Sequence, residues 1–308
     1  MLFLARVPEQ AVQPLTRNGK MGMRFSKTLT TIGASLGSLA AGAAAWAQDA
    51  TAGLETIGKP EQGGLNFQTA ATELASDIHF LDNMLLWIIT PICIFVLLLL
   101  VIVTVRYNKR ANPTPATFTH NSPLEVAWTL VPIVILIVIG SFSLPVLFKQ
   151  MTIPEADVTI KVTGNQWYWT YEYTDNEFGF DSFMLARDEL EEYGYAPDEY
   201  LLATDTAVVV PSGKNIVLNI TGSDVIHSWT IPAFGVKLDA VPGRLQQTYF
   251  NAHKEGVYFG QCSELCGKDH SYMPITVKVV SPEAYEAWLK GAIDEYAGKP
   301  LAVTVASN

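Results

Sequence analysis

Charge is scarce in this chain: of its 308 residues, 16 % are Asp, Glu, Lys or Arg, where an ordinary soluble domain carries about 25 %. What charge there is leans acidic, with 20 basic against 30 acidic side chains and a formal net of −10. That excludes a nucleic-acid binder, because phosphate is neutralised by clustered Lys and Arg. Cysteine is scarcer still. Three residues cannot staple a disulfide-dense scaffold of this length, and no C-x-x-C-H occurs to attach a c-type haem. Disorder is excluded by an apolar share of 49 %. The length fits one or two domains, and the surplus hydrophobicity must sit in discrete segments.

The first such segment follows Arg24 and Lys27. It is a small-residue apolar run from Leu29 to Ala45, closed by the small-x-small triplet Ala45-Trp46-Ala47. This is the order of a secretory signal peptide, so residues 1–47 are expected to be removed and the mature chain to begin near Gln48. Residues 1–20 sit awkwardly ahead of the signal, and Met21 or Met23 is an alternative start. Residues 48–83 then form an exported N-terminal segment. The runs Met84–Val105 and Val126–Phe148 hold no charge across 22 and 23 residues. At about 1.5 Å per residue each can cross a hydrocarbon core of about 30 Å. Two in tandem (84–148) read as a transmembrane hairpin rather than as buried core helices. Arg106, Lys109 and Arg110 place the short loop 106–125 in the cytoplasm. Both termini then lie outside, as the signal peptide also requires. Cys93, within the first run, is a packing or lipid-facing residue.

Residues 149–308 have a different texture. Val158–Thr163, Trp167–Tyr173, Ala207–Val210, Ile216–Ile220, Val225–Ile231, Leu245–Phe250, Val257–Gln261 and Ile275–Val280 are short runs rich in Val, Ile, Thr and aromatics. Separated by Pro/Gly/Ser turns, they predict an all-β exported domain, a sandwich or Greek-key barrel. A C-terminal helix is expected over Pro282–Tyr296, with Ser281 as its N-cap. The stretch 172–199 interrupts the strands with ten acids against Arg187 alone, and 149–308 as a whole carries 22 acids and 11 bases. One reading is a merely solvated surface; the other is a field that steers a basic partner.

The densest chemistry lies in Gln261–Met273, which reads C-x-E-x-C-x3-H-x2-M, with His227 on an upstream strand. Thiolate and imidazole suit zinc, but a thioether is a soft donor that selects copper. One cysteine, two histidines and a methionine would make a mononuclear blue-copper site. The second cysteine is one too many for it. If Cys262 and Cys266 point the same way, their sulfurs can bridge two coppers, with His227 and Met273 on one metal and His270 and a carbonyl near Glu264 on the other. An electron shared over both metals suits electron transfer, and no open position remains for catalysis. The competing reading is a Cys262–Cys266 disulfide.

These residues resemble subunit II of the haem-copper cytochrome c oxidases, in the bacterial and mitochondrial form that carries a copper A centre. The matching pieces are the two-helix hairpin, Asn121–Glu125, Gly164–Trp169, Val225–Trp229, Asp239–Arg244 and Gly260–Met273. The resemblance implies a cupredoxin-like exported domain in the periplasm, on a hairpin in the bacterial inner membrane. It implies a binuclear copper A centre held by His227, Cys262, the main-chain carbonyl of Glu264, Cys266, His270 and Met273, with no haem in this chain. Electrons would come from basic cytochrome c and pass to haem in subunit I, where oxygen is reduced and protons are pumped. The Glu264 carboxylate would reach a magnesium or manganese ion shared with subunit I. Trp167 would be the exposed aromatic through which electrons arrive, with Trp169 left as core. Glu172, Asp181, Asp205 and Asp224 would form the acidic docking patch. Glu125 matches the mouth of a proton-uptake channel, and a carboxylate at a helix N-terminus is its plainer reading. His120 reads as a loop histidine. Quinol-oxidising relatives lack the copper ligands, all of which are present here. The other readings are a membrane-tethered mononuclear blue-copper carrier and a copper-delivery factor.

Overall fold

The computed structural model describes residues 53–298, so the expected signal peptide and its cleavage site lie outside the described residues. The chain order is β1 (Thr56–Gly58), α1 (Glu73–Arg106), α2 (Ser122–Met151), β2 (Val158–Asn165), β3 (Tyr168–Tyr173), β4 (Phe178–Ser182), β5 (Val208–Pro211), β6 (Ile216–Gly222), β7 (His227–Ile231), β8 (Val236–Ala240), β9 (Gln246–Phe250), β10 (Gly256–Gln261), β11 (Pro274–Val280) and α3 (Pro282–Tyr296).

Both α1 and α2 are long and apolar enough to cross a membrane, and their most apolar stretches bury nothing against the rest of the protein. The first starts at Glu73, well ahead of the uncharged run. The cause is local: the Thr72 hydroxyl caps the helix by accepting from the Ala75 amide at 3.0 Å and donates to the Phe234 carbonyl at 2.8 Å. Leu74 and Ala75 are buried there, so the first turn of α1 is docked into the β domain before the helix reaches lipid. At the same level Lys149 of α2 lies 2.7 Å from both Glu73 and Asp77, closing the hairpin. At the other end of α2, the Asn121 side chain accepts from the Leu124 amide while the Glu125 carboxylate accepts from the Asn121 amide.

The β domain is a sandwich. One sheet has the order β4-β3-β2-β6-β9, the other β1-β10-β11-β5, and β7-β8 form a separate ribbon. Pairs β2/β6, β11/β5 and β1/β10 are parallel and the others antiparallel, so strands far apart in sequence lie side by side. Trp169, Tyr171, Trp229, Phe234, Phe250 and Tyr258 fill the space between the sheets. This is the cupredoxin-like domain with its C-terminal helix, α3, capped by the Ser281 hydroxyl.

Several local expectations change: β1, β4 and β8 are strands beyond the eight expected runs, and β3 begins at Tyr168 rather than Trp167. The seventh strand begins at His227, not Val225, because the Asp224 side chain captures the Val225 amide and leaves Val225 and Ile226 exposed. The acidic stretch is also less solvated than its composition suggests. Leu185, Leu190, Tyr195 and Ala203 form a small core with Val257 and Phe259. Glu199 is buried beneath it, and Lys59 pairs with Asp198 at 2.8 Å and Glu199 at 3.7 Å.

Candidate metal centre

His227 opens β7 opposite Ala240 of β8. Its ring lies against Gly164 of β2, where a Cβ would stand 2.8 Å from two ring carbons. Trp169 of β3 meets it edge-on, with centroids 6.0 Å apart. The loop after β10 brings the remaining groups. It is tied to β7 by the Ser263 amide, which donates to the Ser228 carbonyl at 3.0 Å. It is tied to the β2–β3 turn by the Gln166 side-chain amide, which donates to the Cys266 carbonyl at 2.7 Å.

Six groups converge. The two cysteine sulfurs are 3.9 Å apart and unbonded, nearly twice a disulfide length of about 2.05 Å, so the disulfide reading does not describe this structure. His227 Nδ1 is 3.9 Å from Cys262 Sγ, and the Glu264 carbonyl oxygen is 3.3 Å from it. His270 Nδ1 and Met273 Sδ each lie 3.5 Å from Cys266 Sγ. His227, Cys262, Cys266 and Met273 are buried, whereas the Glu264 side chain points to solvent.

The electrostatics ask for a cation. Burial pushes the Cys262 thiol up, but the His227 ring and the backbone of Glu264 and Ser228 outweigh it and hold the thiol below its ordinary value. The Cys266 thiol is pushed up to about 12 by burial and by the neighbouring Cys262 sulfur. Burial works against a protonated His227, yet Cys262 and Asp224 together hold its pKa above the ordinary histidine value. Two thiolates side by side are therefore unfavourable without a positive ion between them. At metal–thiolate bonds of about 2.3 Å, one ion can touch both sulfurs across a 3.9 Å gap. Two soft thiolates, two imidazoles and a thioether fit a copper centre.

Asp224, one of the expected docking acids, is also tied to the candidate centre. Its Oδ1 accepts from His227 Nε2 at 2.8 Å and its Oδ2 from the Gln166 amide at 2.7 Å. This turns Nδ1 of the ring toward the sulfurs. Asp224→Asn is expected to weaken copper retention by about 10- to 100-fold, the usual cost of losing a carboxylate behind a ligand histidine. Copper content after dialysis against a graded chelator series measures it.

The other expected docking acids also have internal partners. Glu172 is 2.6 Å from Lys161, Asp181 accepts from the Thr170 hydroxyl, and Asp205 accepts from the Phe183 and Thr206 amides. Burial pushes the Asp205 carboxyl above the usual range despite those amides. Trp167 is half-buried rather than fully exposed. Gly267, at φ +130°, lies so close that a Cβ would stand 2.9 Å from the indole ring. Trp169, expected as plain core, touches the centre: its Nε1 donates to the Met273 carbonyl at 3.2 Å. Trp169 lies within β3 while Trp167 falls in the turn before it, so no local pattern links Trp169 to the centre. Glu125 lies far from this cluster, about 40 Å along α2.

Profiles of the cytochrome c oxidase subunit II family match twice: the periplasmic domain over residues 158–280 and the transmembrane domain over residues 60–146. Cytochrome c oxidase subunit 2 of Cereibacter sphaeroides is 57 % identical over 284 residues, 88 % of this chain and 93 % of that protein. The probable cytochrome c oxidase subunit 2 of Rickettsia bellii is 45 % identical over 227 residues, 73 % of this chain and 82 % of its own. The crystal structure of the periplasmic domain of subunit II of cytochrome oxidase from Bradyrhizobium japonicum is 50 % identical, covering 47 % of this chain and 100 % of that one with a TM-score of 0.43. A two-span membrane hairpin carrying a copper-binding β domain, matched along most of its length, this chain belongs to the cytochrome c oxidase subunit II family.

Proposed function

We propose that this subunit admits electrons to the oxidase through a binuclear copper A centre, taking them from a basic cytochrome c and passing them to haem in subunit I. The observation that carries the reading is the pair of buried sulfurs 3.9 Å apart with an imidazole beside each. Cys262 and Cys266 would bridge the metals, with His227, His270, Met273 and the Glu264 carbonyl completing the set. When bound, a binuclear copper centre would supply a single shared site for the transferred electron.

The chain's own residues do the rest. Burial of the ligands excludes water, Asp224 fixes His227, and Trp169 holds the Met273 backbone. Trp167, in contact with the copper loop through Gly267, is where the donor would touch. Glu172, Asp181, Asp205 and Asp224 would steer that donor, held in place by their internal partners. The exposed Glu264 carboxylate would reach a magnesium or manganese ion shared with subunit I. Glu125 caps α2 and would stand at a proton-uptake mouth on the cytoplasmic side. The membrane would be the bacterial inner membrane, with loop 106–125 inside and the copper domain 149–308 in the periplasm, after removal of residues 1–47. Subunit I, the other oxidase subunits and lipid would cover the outward faces of 84–148.

The test is electron paramagnetic resonance of the copper-loaded chain in detergent. Hyperfine splitting shared over two equivalent copper nuclei is expected, and a single-copper pattern would replace the proposal by a mononuclear blue-copper carrier. Met273→Leu is expected to keep both coppers while shifting the reduction potential, because only one weak donor is lost. An unchanged potential in a redox titration would remove Met273 from the ligand set.

A further inference from the structure

We infer that Lys268 selects the donor at the moment of contact, favouring a basic electron-transfer protein that presents a carboxylate where it meets Trp167. The inference rests on the reading of Trp167 as the point of contact. In a domain with 22 acids and 11 bases, Lys268 is the one basic side chain other than histidine within the copper loop 261–273. Its Nζ stands 5.4 Å from the centre of the Trp167 ring, where the negative face of an indole attracts a cation. The side chain is 77 % exposed, and among the described residues it pairs with the neighbouring Asp269, at 3.5 Å. Water screens both interactions, so the ammonium is available to an arriving protein. The same loop also exposes the large apolar side chains of Leu265 and Tyr272, and the turn before His227 those of Val225 and Ile226.

Charge therefore acts in two stages. At long range the acidic domain draws in any strongly basic protein. At contact the sign reverses over Trp167, which lies against the copper loop. A donor with an unbroken ring of lysines places a like charge against Lys268, while one with a carboxylate there gains a pair. Discrimination of this kind works through the repulsion it imposes on the wrong partner as much as through the attraction.

The experiment uses the assembled oxidase with the native chain, with Lys268→Glu and with Trp167→Phe. Two probes are compared: horse-heart cytochrome c, and a variant of it with one haem-edge lysine replaced by glutamate. Stopped-flow rates of copper reduction are read with both, together with the Kd of their redox-inert zinc-substituted forms. The rate ratio of the glutamate-bearing to the unmodified donor, and the corresponding ratio of affinities, are expected to fall by about fivefold on Lys268→Glu. Equal changes for both donors would show that Lys268 acts only through net charge and would overturn the inference. Trp167→Phe separates the two failures. If it leaves both rates at the native value, the reading of Trp167 falls and this inference with it. If it slows both donors while Lys268→Glu leaves the ratio unmoved, the inference on Lys268 alone falls.

Discussion

Cys262→Ser is expected to abolish the two-copper signature outright, leaving at most one weakly held metal per chain. The reason is the position of its sulfur. Cys262 Sγ faces Cys266 Sγ, His227 Nδ1 and the Glu264 carbonyl oxygen, at 3.9, 3.9 and 3.3 Å. A serine hydroxyl there is a hard, neutral donor with little affinity for copper. In the proposed centre both metals would depend on the Cys262 thiolate, whereas only one would depend on Met273. The two variants therefore separate a bridge from a terminal ligand. Metal analysis and the hyperfine pattern are the measurements, and a shared two-copper pattern that survives in Cys262→Ser would refute the bridging arrangement. The fold itself should persist, since Cys262 sits at the edge of a core that Trp169, Tyr171, Trp229 and Tyr258 fill.

The contrast between what was legible in the sequence and what was not follows from range. Five of the six donor groups lie within Gln261–Met273, so local spacing reveals them. The hairpin is legible for a similar reason, because an uncharged run declares itself residue by residue. What escapes is whatever depends on a distant partner. The early start of α1 needs the Phe234 carbonyl, 162 residues away from Thr72. The hold of Asp224 on the turn before β3 needs the Gln166 amide, 58 residues away, which no local pattern reveals. Glu199 reads as surface because the stretch around it is acidic; that it is buried beside a small core of Leu190, Tyr195 and Phe259 of β10 shows only in the fold. Trp169 is the intermediate case. Its place in the core is legible in the strand pattern, but that it supports Met273 depends on a carbonyl 104 residues on.

Gly164→Ala should be as damaging as loss of a ligand, although it removes none. Gly164 lies in β2 between Trp169 of β3 and Gly222 of β6, so its backbone is held on both sides. Its φ is outside the left-handed region, and alanine meets no conformational penalty there. The penalty is entirely contact. The new Cβ would fall 2.8 Å from Cδ2 and Cγ of His227 and 2.9 Å from its Cβ, closer than carbon atoms approach. The strand cannot retreat without breaking ladders on both sides, so the imidazole has to turn away. Turning moves Nδ1 off the Cys262 sulfur and Nε2 off Asp224 together. Overpacking a buried site costs about 1–3 kcal/mol, which the domain should survive, so the variant is expected to fold with a modest loss of thermal stability. Copper binding is where the effect concentrates, with the two-copper spectrum lost or replaced by an inequivalent pair. A folded Gly164→Ala chain with the native spectrum and native copper content would show that His227 does not need this seat, and would remove the close approach of β2 from the explanation of the centre.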